Sequence, residues 1–120
     1  MSYPFQSAPD STLIWDPGIG VGRAYVSFAE ETGKSLGVPT GLTYSDRLGG
    51  SNIDVEVFQR FTQALYDRYT ETGSFVLHGL LRGLLLPSLV MLERCGGTIT
   101  HKPEKEAGLM EGYADYRRFM

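Results

Sequence analysis

The clearest regularity in the chain is a run of large apolar side chains at three- and four-residue spacing: Val57, Phe58, Phe61, Leu65 and Tyr69. Gln59, Arg60, Gln63, Asp67 and Arg68 occupy the opposite side. This spacing places the apolar set on one face of a helix. The helix is expected from Asp54 to about Thr72, because Asp54 is a favoured N-cap and Glu56 suits the positive end of the macrodipole. After Gly73-Ser74 the pattern changes. Phe75 to Arg94 is apolar nearly all round, which marks a helix enclosed by others or shared across an oligomer interface. Pro87 should kink it and Gly96-Gly97 should end it. Upstream, Ile19, Tyr25, Val26, Ala29 and Leu36 fall near one face, and Phe28 widens it. That helix is expected to open at Asp16-Pro17 and to stop at Gly37, just before Pro39. Glycines at 18, 20, 22 and 33 weaken it, each by about 1 kcal/mol relative to alanine.

The remaining segments are shorter in pattern. Residues 1–16 read as an extended arm, with Tyr3-Pro4-Phe5 and Thr12-Leu13-Ile14-Trp15 split by the turn composition Ala8-Pro9-Asp10-Ser11. Residues 38–53, rich in Gly, Ser, Thr and Asp, predict a loop of unusual length for a compact domain. Thr98-Ile99-Thr100 is β-branched and suited to pairing with the arm. Residues 102–120 are charged, and Leu109, Met110, Tyr113, Tyr116 and Phe119 give a weak helical pattern. Such a tail is either an amphipathic helix or a segment ordered by a partner. The expected fold is therefore mainly α: a three-helix, bundle-like single domain over 1–101 with a short extended N-terminal arm, a small β pairing, and a partly helical C-terminal tail over 102–120. No internal repeat or low-complexity tract is present.

Composition narrows the functional classes. A chain of 120 residues is one domain, large enough to bury a core without disulfides or metals. With 42% hydrophobic and 21% charged residues, disorder of the whole chain is excluded. Eleven Lys plus Arg against fourteen Asp plus Glu give a net charge of −3, which argues against gripping nucleic acid or anionic lipid. One cysteine excludes a disulfide framework within the chain and a cysteine zinc site. The first residues carry neither the basic nor the apolar region of a signal peptide. The one candidate membrane span, Phe75 to Leu92, has Arg82 near its middle, at about 2.5–3.5 kcal/mol on insertion scales. A cytoplasmic protein with no membrane and no nucleic-acid partner is expected.

Several motifs invite chemistry. Gly18-Ile19-Gly20-Val21-Gly22 resembles a phosphate loop, but Arg23 stands where the dinucleotide fingerprint needs a glycine. Close helix packing explains the glycines better. Gly18 with Gly22, and Gly79 with Gly83, are each four apart, which predicts that the first helix crosses the third at these small residues. His78 and Arg82 share a face of the apolar helix and are the candidate polar groups of an interhelical pocket, with His78 as a possible base. The alternative is a solvent edge, or Arg82 paired with a carboxylate. Cys95 and His101 match no zinc spacing, and no base is evident for Cys95 as a nucleophile. No catalytic, metal or cofactor residue is assigned. Aromatics at Trp15, Tyr113, Tyr116 and Phe119, together with Leu109 and Met110, are the candidate protein interface.

Leu13-Ile14-Trp15-Asp16-Pro17, Leu36-Gly37-Val38-Pro39-Thr40-Gly41-Leu42, Asp54-Val55-Glu56-Val57-Phe58, Val76-Leu77-His78-Gly79-Leu80-Leu81-Arg82-Gly83 and Leu86-Pro87-Ser88-Leu89-Val90-Met91-Leu92-Glu93-Arg94 carry a resemblance. Over about residues 3–97 the chain resembles a family of small uncharacterised actinobacterial proteins, a domain of unknown function. The resemblance implies one small domain and no catalytic residue, and the tail after His101 looks particular to this chain. Two functions follow as expectations. The first is a non-catalytic protein-interaction module, an accessory subunit or immunity-type inhibitor, which self-associates or forms a homo-oligomer. The second is a small enzyme or small-molecule-binding protein whose apolar interhelical pocket contains His78 and Arg82, with 38–53 as its lid.

Overall fold

A computed structural model describes residues 1–120. The arm folds into an antiparallel hairpin of β1 (Phe5–Ala8) and β2 (Thr12–Trp15). Next come α1 (Ile19–Leu36), β3 (Leu42–Ser45), β4 (Gly50–Asp54), α2 (Val55–Glu71), α3 (Phe75–Arg94), a 3₁₀ turn at Pro103–Lys105, and α4 (Leu109–Phe119). The strands form one mixed sheet in the order β2-β1-β4-β3, parallel at its centre and antiparallel at both flanks.

The fold is thus α/β, with four helices and a four-stranded sheet, where the hydropathy pattern predicted a mainly α bundle. The difference lies in residues 38–53, which form the β3–β4 hairpin instead of a loop. β4 has one large apolar side chain, Ile53, so its strand character comes from its partners more than from its own alternation. Its pairing with β1 is long-range, Phe5 opposite Ser51 and Ser7 opposite Ile53. Gly50 permits it: a Cβ there would meet the Pro4 carbonyl, which accepts from the Ser51 N–H at 3.0 Å. Tyr3 hydroxyl and Ser51 Oγ, 2.8 Å apart, close the same junction.

The helix boundaries follow their caps. Asp54 Oδ1 accepts from the Val57 N–H to open α2, and Ser74 Oγ accepts from the Leu77 N–H to open α3. Gly37, at φ +74°, ends α1 in the left-handed conformation. Asp16 does not cap α1, which starts at Ile19. The arm occupies that end, with Ile19 N–H donating to the Met1 carbonyl and Tyr3 N–H to the Pro17 carbonyl. Pro87 sits inside α3 without ending it.

One core joins Phe5, Ile14 and Ile53 of the sheet to Tyr25 and Ala29 of α1, to Phe58, Phe61, Leu65 and Tyr69 of α2, and to the C-terminal half of α3. Two expected contacts are replaced. α1 and α3 do not meet through their glycines: Gly22 receives the Tyr3 side chain, and Gly79 and Gly83 have open space around them. They meet through Tyr25 hydroxyl and Ser88 Oγ, 2.6 Å apart and buried. Residues 98–100 do not pair with the arm either. α2 side chains hold them, with Gln59 Oε1 accepting from Thr98 N–H and Gln63 Oε1 accepting from Thr100 N–H. The side-chain amides of α2 thus supply what a neighbouring strand would have offered.

Candidate functional site

His78 and Arg82 lie side by side on α3 and turn toward α2 and α4. The His78 ring stacks on Tyr69 of α2, with centroids 4.0 Å apart and planes 24° from parallel. The Arg82 guanidinium occupies the space a Cβ at Gly112 of α4 would need. Burial raises the Tyr69 phenol above its ordinary pKa, and the nearby Arg82 charge pulls it partly back. Both side chains fill helix–helix contacts, and other residues line the concave surfaces described next.

The six candidate interface residues separate. Leu109 is fully buried and belongs to the core. Tyr113 is half-buried and donates to Glu93, which also pairs with Arg117 at 3.2 Å. Met110 and Phe119 are exposed on α4. Trp15 stacks on Phe5 with centroids 5.3 Å apart and stands edge-on to Tyr25. Trp15 and Tyr116 come together at one end of an apolar trough between α1 and α3.

That trough is lined mainly by apolar side chains. One part, of about 370 Å³, is lined among others by Val21, Phe28, Leu84, Pro87 and Met120. Phe28 also borders the second part, of about 270 Å³, which continues to Leu77 and Leu80 and ends at Glu31 and Arg68. Along its lips Val21 is 57% exposed, Leu80 53% and Phe28 41%, and Phe75 and Val76 are bare at the start of α3. A single exposed apolar side chain needs no explanation, but several on the rim of an apolar concavity are the pattern of an interaction surface. Between them Gly79 and Gly83 are solvent-facing, and a Cβ at either would touch nothing within 4 Å. Each glycine weakens the helix by about 1 kcal/mol relative to alanine, and no contact within the chain requires either. One signal for the trough was present in the sequence: Val21, Ala24 and Phe28 form a second apolar stripe on α1.

A second cluster, absent from the sequence reading, joins residues 40 apart. Tyr66 donates to Glu106 Oε2 at 2.5 Å, and His101 Nδ1 lies 2.6 Å from the same oxygen. The Tyr66 oxygen accepts from the Lys102 N–H at 2.6 Å, and Lys102 Nζ reaches Asp67 and Glu71 at 3.5 Å each. Burial, reinforced by the bond to Glu106, pushes the Tyr66 phenol up to about 12. Partial burial opposes ionisation of Glu106, but the bonds from Tyr66 and His101 prevail and hold it below the ordinary carboxylate range. This network pins residues 101–106 to α2. The cavity beside it, bordered by His101, Glu93, Ile99 and Tyr113, measures about 170 Å³. That is below the roughly 300–1,000 Å³ of ordinary ligand pockets. Burial lifts the Cys95 thiol to about 11, so it is protonated at neutral pH and a poor nucleophile. No three His, Cys, Asp or Glu side chains converge as metal ligands.

The arrangement of these parts spans the whole chain, and so does its match to a known family. Residues 1–120 match the family described as "Family of unknown function (DUF6086)". The chain belongs to DUF6086. The match takes in residues 102–120, so the tail lies within the family's span and is not an addition particular to this chain. No curated protein and no solved structure matches this DUF6086 chain.

Proposed function

We propose that this protein is a non-catalytic interaction module, an accessory subunit or inhibitor-type partner, that works through the trough between α1 and α3 in a bacterial cytoplasm. The observation that carries the reading is the exposure of Val21, Phe28 and Leu80 on the rim of a concave apolar floor. Burying apolar surface contributes about 25 cal/mol per Å², so leaving this much in water forgoes several kcal/mol that a docked partner recovers in part. The free thiol at Cys95 suits a reducing compartment. The competing reading, a small-molecule site at His78 and Arg82, has less support. One ring is stacked on Tyr69 and the guanidinium is packed on Gly112.

A photo-crosslinking amino acid placed at Phe28 or Leu80 in the native cell tests this. A protein adduct at both positions, and none from the same probe at Tyr44 on the sheet, is the expected result. The absence of any adduct at the trough would overturn the reading.

A further inference from the structure

We propose that the outer face of the sheet holds a site for a small, hydroxyl-bearing oxyanion, of the sugar phosphate or sugar acid class. This site shares no residue with the trough, so each of the two readings stands or falls alone.

Strand alternation builds the site. Phe5, Ser7, Ser51 and Ile53 turn inward and are buried. Gln6 and Asn52, register partners between β1 and β4, take the opposite face and are partly exposed. They border a concavity of about 460 Å³, walled by Ser11 from the β1–β2 turn and by Ser45 and Arg47 from the end of β3 and its turn. That volume exceeds either part of the trough and falls within the roughly 300–1,000 Å³ of ordinary ligand sites. A wet sheet face needs polar residues but no concavity. Here both hairpins raise a wall around the central strand pair.

The lining sets the chemistry. Arg47 is the one charged residue in it, and its guanidinium makes no hydrogen bond or ion pair within the chain. A guanidinium fork matches a carboxylate or phosphate with two parallel bonds. Gln6 Nε2 donates to Asn52 Oδ1 at 3.3 Å, which leaves Asn52 Nδ2 as a donor beside Gln6 Oε1 as an acceptor. A sugar hydroxyl both donates and accepts, so it can use the two together. Ser45 Oγ accepts from the Leu48 N–H at 3.3 Å and keeps its own hydrogen free to donate.

The fourth polar wall comes at a conformational cost. Ser11 is the one non-glycine residue of the chain in the left-handed region, at φ +59°. Its N–H donates to the Ser7 carbonyl at 2.8 Å, and Ser7 Oγ donates to Asp10 Oδ1 at 2.5 Å. Glycine would hold the same turn without strain. Serine there adds a hydroxyl to the cavity wall. Asp10, whose charge would repel an anion, is engaged by Ser7 and lines no part of the cavity.

Nuclear magnetic resonance of the full chain, titrated to about 10 mM with ribose 5-phosphate, gluconate or neutral ribose, tests this. At least one of the two anions is expected to shift the Gln6 and Asn52 side-chain amides and the Arg47 Nε–H in a saturable way. A response to ribose 5-phosphate alone assigns the oxyanion as a phosphate, and a response to gluconate alone as a carboxylate. Arg47→Gln, and Asn52→Asp, which keeps the bond from Gln6 and adds a repelling charge, are expected to weaken binding at least ~10-fold with melting unchanged. Arg23→Gln on α1 is expected to leave it unchanged. No response to either anion overturns the site. A response to ribose as strong as to the anions, or anion binding insensitive to Arg47→Gln, overturns it as well.

Discussion

The two halves of α3 are both largely apolar, the second more so, and have opposite environments. From Leu84 to Leu92 every residue is buried, including Pro87 and Ser88, because α1, α2 and α4 enclose that half. From Phe75 to Gly83 only Leu81 is buried, and Leu77, His78 and Arg82 are partly covered. The helix is long and apolar enough to cross a membrane by length and composition, but 56% of its most apolar window is buried inside the fold. Hydropathy therefore states how much surface seeks cover. Which half finds it inside the chain is decided by neighbours far away in sequence.

This contrast can be broken from its buried side first. Leu85→Ala removes a fully buried side chain and should destabilise by about 2–5 kcal/mol, while Leu80→Ala should cost less than about 1 kcal/mol in dilute solution. Denaturant unfolding of the two variants checks the difference, and equal losses would erase the distinction between the halves.

The enclosure also depends on the segment that Tyr66 pins. Its phenol is held neutral to about 12 in the folded state and titrates near 10 when unfolded, so the unfolded chain loses the proton first as pH rises. The resulting stability is fully present below pH ~10 and is lost as pH climbs through the folded value, by roughly 2–3 kcal/mol. Tyr66→Phe should abolish that component of the alkaline loss, as measured by urea unfolding between pH 9 and 12. An unchanged slope would show that the phenol is not held as described.

Ser88→Ala leaves the buried Tyr25 hydroxyl without its partner and should cost about 1–3 kcal/mol. In the exposed half the sign should reverse. Gly83→Ala meets open space and should stabilise the dilute monomer by up to about 1 kcal/mol, a rise of about 4 °C in Tm. A loss of stability there would mean that the position is already packed within the chain.

The sequence was most informative where structure is local. Asp54, Ser74 and Gly37 mark helix ends because caps and left-handed glycines act within a few residues. Phe58, Phe61, Leu65 and Tyr69 of the α2 stripe entered the core for the same reason, while Val57 is only half-buried. The sheet was hidden because β1 and β4 pair across more than forty residues and β4 has little alternation of its own. The Tyr66–Glu106–His101 group was equally hidden, since a hydrogen bond between residues 40 apart leaves no periodic trace. Of the candidate site, Trp15 and Tyr116 were legible as aromatics outside the secure helices, and both line the trough. The exposure of Phe75, Val76 and Leu80 was not, because an apolar helix reads alike whether covered or bare.

Hydroxyl-radical footprinting of the full chain, purified and within the native cell, tests the central claim at residue level. The account predicts that Val21, Phe28 and Leu80 react in the purified protein and become shielded in the cell, relative to Tyr44 and Phe119, which are exposed elsewhere. Unchanged relative reactivity of the trough residues would contradict it.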